Sequence, residues 1–188
     1  MSSFNEQDMI AGCRKKNRAM QEYVYKMFYS YFLKVCARYA KSMQDAEQLI
    51  NDGFLKIFTN IDKYVANGSF VAWMKRIMIN TCLDYLRSSY VKEEMTLHSH
   101  AIVPEDTDLA VNNAAIAQIE FRELVNTIQN LPAMTRTVFN LFVFEGYNHK
   151  EIADQLQISE GTSHWHVHQA RQLLQKKILK QEKQKAGL

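Results

Sequence analysis

The stretch GYNHKEIADQLQISEGTSHWHVHQARQLL, Gly146 to Leu174, is the most informative in the chain. Its spacing predicts a short helix (HKEIADQL), a tight connection at Gln157-Ile158-Ser159, and a longer second helix. Ser159 with Thr162 in the first turn makes a cap, and Glu160 suits the positive end of the helix dipole. Ile152, Ala153 and Leu156 of the first helix are placed to pack against Ile158, Val167, Ala170 and Leu174. The small Ala153 lets the two helices cross closely. This pattern predicts a helix-turn-helix, whose second helix has the shape to enter a major groove. The turn position usually given to glycine holds Gln157, where a left-handed backbone costs about 1 kcal/mol.

Helical spacing assigns Thr162, Ser163, His164, His166, Gln169 and Arg171 to the outward face of the second helix. Such groups meet phosphates and base edges, with glutamine suited to adenine and arginine to guanine. From Arg171 onward, Lys176, Lys177, Lys180, Lys183 and Lys185 oppose only Glu182, an excess that suits phosphate attraction. His164 and His168 stand at the i, i+4 spacing of a metal pair, but no third ligand of fixed spacing accompanies them unless His149 folds near, and no metal is expected. Trp165 can pack against the preceding helices or contact the sugar-phosphate backbone, and packing is the expectation.

Upstream of this motif the periodicity is also helical. Tyr25, Phe28, Phe32, Val35 and Tyr39 form one stripe. Ala46, Leu49, Ile50, Gly53, Phe54, Ile57, Phe58 and Ile61 form a stronger one, with Ser42 as its N-cap and Asp45 and Glu47 in its first turn. Asn67-Gly68-Ser69 reads as a turn opening a further helix, with Phe70, Trp73, Met74, Ile77, Met78, Thr81, Cys82 and Tyr85 along one face. The pattern breaks at about Ser88. Residues to Asn113 carry one proline, many polar groups and no sustained period, which reads as a linker. Helical spacing returns with Ile116, Ile119, Leu124, Ile128 and Leu131, then in Pro132 to Glu145, His149 to Leu156, and Ser159 to about Leu179. No strand pattern is evident. The expected fold is all-α, in two small helical domains at residues 1–90 and 114–188, joined by a flexible linker at 91–113.

Composition is compatible with this. Two prolines and six glycines in 188 residues disfavour a disordered or turn-rich all-β chain. A net charge of +3 neither demands nor excludes a nucleic-acid partner. Cys13, Cys36 and Cys82 are odd in number and far apart, which fits neither a disulfide framework nor a CxxC metal site. The N-terminal MSSFNEQDMIAGCRKKN lacks the apolar stretch of a secretory signal, and a reducing cytoplasm is the expected compartment. No nucleophile elbow, glycine-rich phosphate loop or HExxH box appears, so neither an enzyme nor a cofactor is expected.

Two blocks together resemble a known family. DAEQLINDGFLKIFTNIDKY followed by GSFVAWMKRIMINTCLDYLR is similar to region 2 of the extracytoplasmic-function (ECF) sigma factors of the sigma-70 family. LPAMTRTVFNLFVFEGYNHKEIADQLQISEGTSHWHVHQAR is similar to region 4. The resemblance implies a dissociable subunit that joins core RNA polymerase, directs it to promoter DNA and helps to melt it. Carried over by position, Asp45, Gln48, Asn51 and Asp52 would face the polymerase. Asn67, Ser69, Lys75, Arg76, Asn80 and Arg87 would contact the −10 element, where unpaired bases need cationic contacts and a stacking surface. Thr162, Ser163, His164, His166 and Arg171 would read the −35 element. His164 and His166 stand where relatives often carry Lys or Arg, which implies weak DNA binding by this domain alone. The resemblance further implies an anti-sigma partner and a monomer when free. In the same helices Trp73 is expected to pack in the core, and Asp84 to pair with Arg87 or a neighbouring cation.

The rival readings lack support in the residues. A response-regulator-type transcription factor needs a receiver or ligand domain, whereas residues 18–87 show no strand alternation. A helical adaptor needs neither the cationic helix end nor the turn-plus-helix GSFVAWMKRIMINTCLDYLR.

Overall fold

The computed structural model describes residues 4–66, 68–93 and 126–185, with side chains described except at 89–93 and 180–185. The expected helical positions 116–125 and most of the linker therefore lie outside the described residues. Every regular element among the described residues is helical. The chain divides into two compact units, Met1–Pro104 and Glu105–Leu188.

The N-terminal unit contains α1 (Glu6–Arg14), α2 (Arg18–Ala37), α3 (Met43–Thr59), a 3-10 turn (Ile61–Lys63) and α4 (Phe70–Glu93). Asn5, Asn17 and Ser42 cap the first three helices, accepting from the Asp8, Met20 and Asp45 amides at 2.8, 3.2 and 2.8 Å. Leu49, Ile50, Phe54 and Ile57 of α3 meet Val24, Phe32 and Cys36 of α2 and Met74, Met78 and Leu83 of α4 in a closed apolar core. Gly53 leaves room for the buried Met78 side chain of α4, whose sulfur a β-carbon there would crowd. All three cysteines are free and buried, with Cys36 and Cys82 sulfurs 3.8 Å apart. Burial pushes the Cys13 thiol up to about 11, which keeps it protonated and unreactive at neutral pH.

Two expectations need correction here. Helix α1 has no counterpart in the apolar stripes identified from the sequence. It has only two and a half turns and two core-facing residues, Met9 and Cys13, too little for a period to stand out. The break at Ser88 also comes too early. Helix α4 continues to Glu93, into the stretch 91–113 expected to be linker, because nothing in SSYVKE stops a helix.

The C-terminal unit contains helical residues 126–129, then α5 (Ala133–Val143), α6 (His149–Leu156) and α7 (Glu160–Lys185). Ile128, Leu131, Phe139 and Ala170 form a buried cluster, with Phe144, Leu173 and Leu174 packed against it. Ile152, Ala153 and Val167 are buried as their spacing predicts. Helix α6 is held at its start by a capping box: Asn148 Oδ1 accepts from the Glu151 amide at 2.9 Å, and Glu151 Oε2 accepts from the Asn148 amide at 2.8 Å.

At the turn, Gln157 adopts φ 56° and ψ 45°, the left-handed conformation anticipated at this position. Its side chain donates 2.7 Å to the Asp154 carbonyl, which offsets part of the strain. Replacing Gln157 with Gly is expected to stabilise the C-terminal unit by about 1 kcal/mol. A shift of its denaturant midpoint to higher concentration is the measurement; a lower midpoint would contradict it.

Candidate nucleic-acid and polymerase surfaces

Helix α7 starts as its sequence predicts. Ser159 Oγ accepts from the Thr162 amide at 3.0 Å and lies 2.8 Å from the Thr162 hydroxyl. Thr162 is thus half-buried and acts in the cap. Ser163 is not on the outward face at all. It is fully buried and shares a 2.9 Å hydrogen bond with His149 Nδ1, because α7 turns the 163, 167, 170 row towards α5 and α6. His166 is half-buried and shares a 3.0 Å hydrogen bond with Thr135 Oγ1 at the start of α5. Of the five residues expected to read DNA here, His164 and Arg171 are exposed.

The exposed row of α7 is Gly161, His164, Trp165, His168, Arg171 and Gln172, at the three-and-four spacing of one helix face. Trp165 is 56% exposed, contrary to the expectation that it packs inward. Its ring stands edge-on to His166 at 4.9 Å. His168 Nε2 and Gln172 Nε2 lie 3.0 Å apart. The signal for this register was already present: Val167, Ala170 and Leu174 define the inner face, and 165, 168 and 172 lie opposite to it.

A stack of three rings seats the helix-turn-helix. His149 lies between Phe142, at 4.5 Å between centroids, and His164, at 3.5 Å. Burial, then the neighbouring His164 and Arg171, lower the pKa of His149, with Glu160 opposing. Burial alone lowers that of His166. Both lie below the ordinary 6.5, so the folded state binds fewer protons than the unfolded chain. The resulting stabilisation is present above pH 6.5 and is lost as pH falls through the lower folded values. The melting temperature of this unit is expected to drop between pH 7.5 and 5.5. A flat profile in thermal unfolding monitored through Trp165 would contradict this.

In the N-terminal unit, α3 presents Asn51 and Gln48 to solvent, with Asp45 and Asp52 half-buried. Gln48 donates 2.9 Å to Asp52 Oδ1 and Asn51 accepts from the Tyr25 hydroxyl at 2.9 Å. Asp45, Gln48, Asp52 and the exposed Leu55 line one side of a groove of about 450 Å³, with Thr81, Asp84 and Tyr85 of α4 opposite. The structure thus brings Asp45, Gln48 and Asp52 together and turns Asn51 towards α2. Asp84 bridges two cations as expected, Lys56 at 3.1 Å and Arg87 at 3.3 Å.

On α4, Arg76 and Arg87 are exposed, and Lys75 and Asn80 half-buried. Ser69 is exposed and its carbonyl accepts from the Trp73 amide at 3.1 Å, at the mouth of the helix. Asn67 lies outside the described residues. Trp73 stacks on Phe70 at 5.8 Å and tilts against Tyr64 at 5.4 Å, so it packs as expected. Among the described residues no helix is long and apolar enough to cross a membrane.

Known proteins align with this arrangement. Residues 24–90 match the family model for Sigma-70 region 2, and residues 121–174 that for Sigma-70, region 4. The chain is 28% identical over 163 residues to the ECF RNA polymerase sigma factor SigW of Bacillus subtilis, covering 77% of this chain and 81% of that protein. It is 25% identical over 145 residues to the ECF RNA polymerase sigma-E factor of Haemophilus influenzae, covering 73% and 76%. Its fold is similar to that of CnrH, solved in complex with the cytosolic domain of CnrY, with a TM-score of 0.53 and 17% identity over 92% of this chain and 96% of that one. It is also similar to the sigma factor RpoE of Bartonella quintana, solved with the anti-sigma factor NepR, with a TM-score of 0.53 and 19% identity over 82% and 94%. With both sigma-70 regions present in order on two helical units, the chain belongs to the ECF sigma factors of the sigma-70 family, RNA polymerase subunits that direct promoter-specific transcription initiation.

Proposed function

We propose that the N-terminal unit holds core polymerase through the acidic side of the α3–α4 groove and opens the −10 element along α4. Asp45, Gln48 and Asp52 supply polar contacts around the exposed Leu55, a mixture suited to a helical partner surface. Asn51 contributes from the α2 side. Ser69, Lys75, Arg76, Asn80 and Arg87, with Asn67, serve the melted strand. Cationic groups there hold the backbone, and preferential binding of the open strand shifts the duplex equilibrium without covalent chemistry.

The C-terminal unit reads the −35 element with His164 and Arg171, joined by Trp165, His168 and Gln172. Thr162, Ser163 and His166 act behind them, holding the helix in place. The protein works in the cytoplasm, is a monomer when free, and is held inactive by an anti-sigma protein that covers polymerase-binding surface; in support, the similar sigma factor RpoE is solved in complex with the anti-sigma factor NepR. It needs no cofactor.

The observation that carries this reading is one helix-turn-helix with a polar, exposed α7 row, on the same chain as a region 2 unit with a cationic α4. Abortive transcription with purified core RNA polymerase on a promoter library tests it. Promoter-specific products that appear only when this protein is added are expected, and their absence overturns the reading.

A further inference from the structure

Trp165 is the residue of α7 that least fits its surroundings. Of the exposed row Gly161, His164, Trp165, His168, Arg171 and Gln172, it is the one large apolar side chain. More than half of it faces solvent. Ser163, Val167 and Ala170 are buried and define the inner row, which leaves the indole on the opposite side of the helix. Held in water, the indole forgoes the gain of burying its apolar surface, a gain that a partner covering it would restore.

Its setting favours a firm contact. The ring stands edge-on to His166 at 4.9 Å, and His166 in turn shares a 3.0 Å hydrogen bond with Thr135 Oγ1. The imidazole is thus fixed to α5 and backs the indole, which reduces the freedom lost when a ligand meets it. Long side chains of a helix lean over the turn before them. In that turn Gly161 brings no side chain, and a β-carbon there would meet just the Ser159 hydroxyl, at 3.7 Å. The ring is therefore open to approach on the side nearest the start of α7. Trp165 also lies within the first two turns of that helix, which begins at Glu160. This is the part of a recognition helix that meets base edges.

The base edges of the major groove are rows of hydrogen-bond donors and acceptors, with the 5-methyl group of thymine as their apolar exception. An indole laid over a donor or acceptor strips it of water and returns at most one N–H, which costs free energy. Laid over a methyl group it breaks no hydrogen bond, and both apolar surfaces leave water. We infer that Trp165 is a specificity-determining residue that reads the 5-methyl group of one thymine in the −35 element. The inference rests on the proposal that this row of α7 reads that element. His164, His168 and Arg171 meet polar edges and phosphates around it, a task for which an indole is poorly suited.

Holoenzyme reconstituted from core RNA polymerase and the full chain first selects its −35 element from a randomised promoter library. Each thymine of that element, on either strand, is then replaced by deoxyuridine, which pairs alike and lacks the methyl group alone. Binding is measured by competition. At one position the replacement is expected to weaken wild-type binding about fourfold, the scale of one buried carbon. Trp165→Ala is expected to bind thymine and deoxyuridine there equally, with core affinity and unfolding midpoint at wild-type values. Trp165→Phe keeps an apolar ring and is expected to keep the discrimination. Discrimination that persists in the alanine variant overturns the inference, because another residue then reads the methyl group. So does wild type indifferent to deoxyuridine at every position, even if Trp165→Ala binds more weakly, since a contact with the sugar-phosphate backbone has that effect. Loss of discrimination in Trp165→Phe would assign it to the indole N–H and overturn the apolar contact. A selected element without an A·T pair overturns it as well. His164→Ala with Arg171→Ala separates the inference from the proposal beneath it. If this variant alters −35 preference while the deoxyuridine test fails, the reading of Trp165 alone fails. If −35 preference is unaltered both here and in Trp165→Ala, the reading face fails and the inference falls with it.

Discussion

Truncating Phe54 to alanine is expected to remove about 3–5 kcal/mol from the N-terminal unit. The ring is 2% exposed and touches three others, with centroids 4.7 Å from Tyr25, 5.7 Å from Phe32 and 5.7 Å from Phe58. It sits where α3 crosses α2, so the helices cannot close on the space without moving the face that carries Asp45, Gln48 and Asp52. For a small domain with about 5–15 kcal/mol in all, that loss is a large share. The chain's two tryptophans provide the measurement, since Trp73 reports on the N-terminal unit and Trp165 on the C-terminal one. In denaturant, Phe54→Ala should lower the midpoint seen by Trp73 in a Trp165→Phe background. The transition reported by Trp165 in a Trp73→Phe background should stay in place. Equal shifts of both would show that the units do not unfold independently.

The second large effect concerns reading of DNA. Replacing Trp165, His168 and Gln172 together with alanine is expected to reduce promoter-directed transcription at least tenfold. Each good base-edge contact carries about 1–3 kcal/mol of discrimination. All three side chains lie on the exposed row of α7, so the unfolding midpoint should move little. Ser163→Ala is the contrasting variant. Ser163 is fully buried and bonded to His149, so its loss should lower the midpoint while leaving the ranking of promoters unaltered. Unchanged transcription by the triple variant, or a changed promoter ranking with Ser163→Ala, would show that the exposed row is not the reading face.

Much of the fold was legible because burial leaves a period. The α3 stripe from Ala46 to Ile57 is buried as spaced, and the caps at Ser42 and Ser159 hold the bonds their residue types suggest. The helix-turn-helix was legible down to the left-handed Gln157. Helix α1 was not, since nine residues with two buried positions carry too little pattern. The candidate surfaces were harder to read because the polar residues of a helix do not announce which of them bond inward. Ser163 and His166 look like surface groups in the sequence, and their partners His149 and Thr135 come from other helices. Trp165 deceived in the opposite direction, since a large aromatic side chain is usually an inner one.

Helix α6 has eight residues, fewer than an isolated helix needs to persist in water. Its capping box and the burial of Ile152 and Ala153 hold it only while α7 lies alongside. The first helix of the motif therefore has no independent existence, and it forms and melts with the part of α7 that bears Val167 and Ala170. Amide hydrogens of α6 and of this inner stretch should exchange with solvent as one cooperative group, so that loosening of the short helix also undoes the exposed row on the long one.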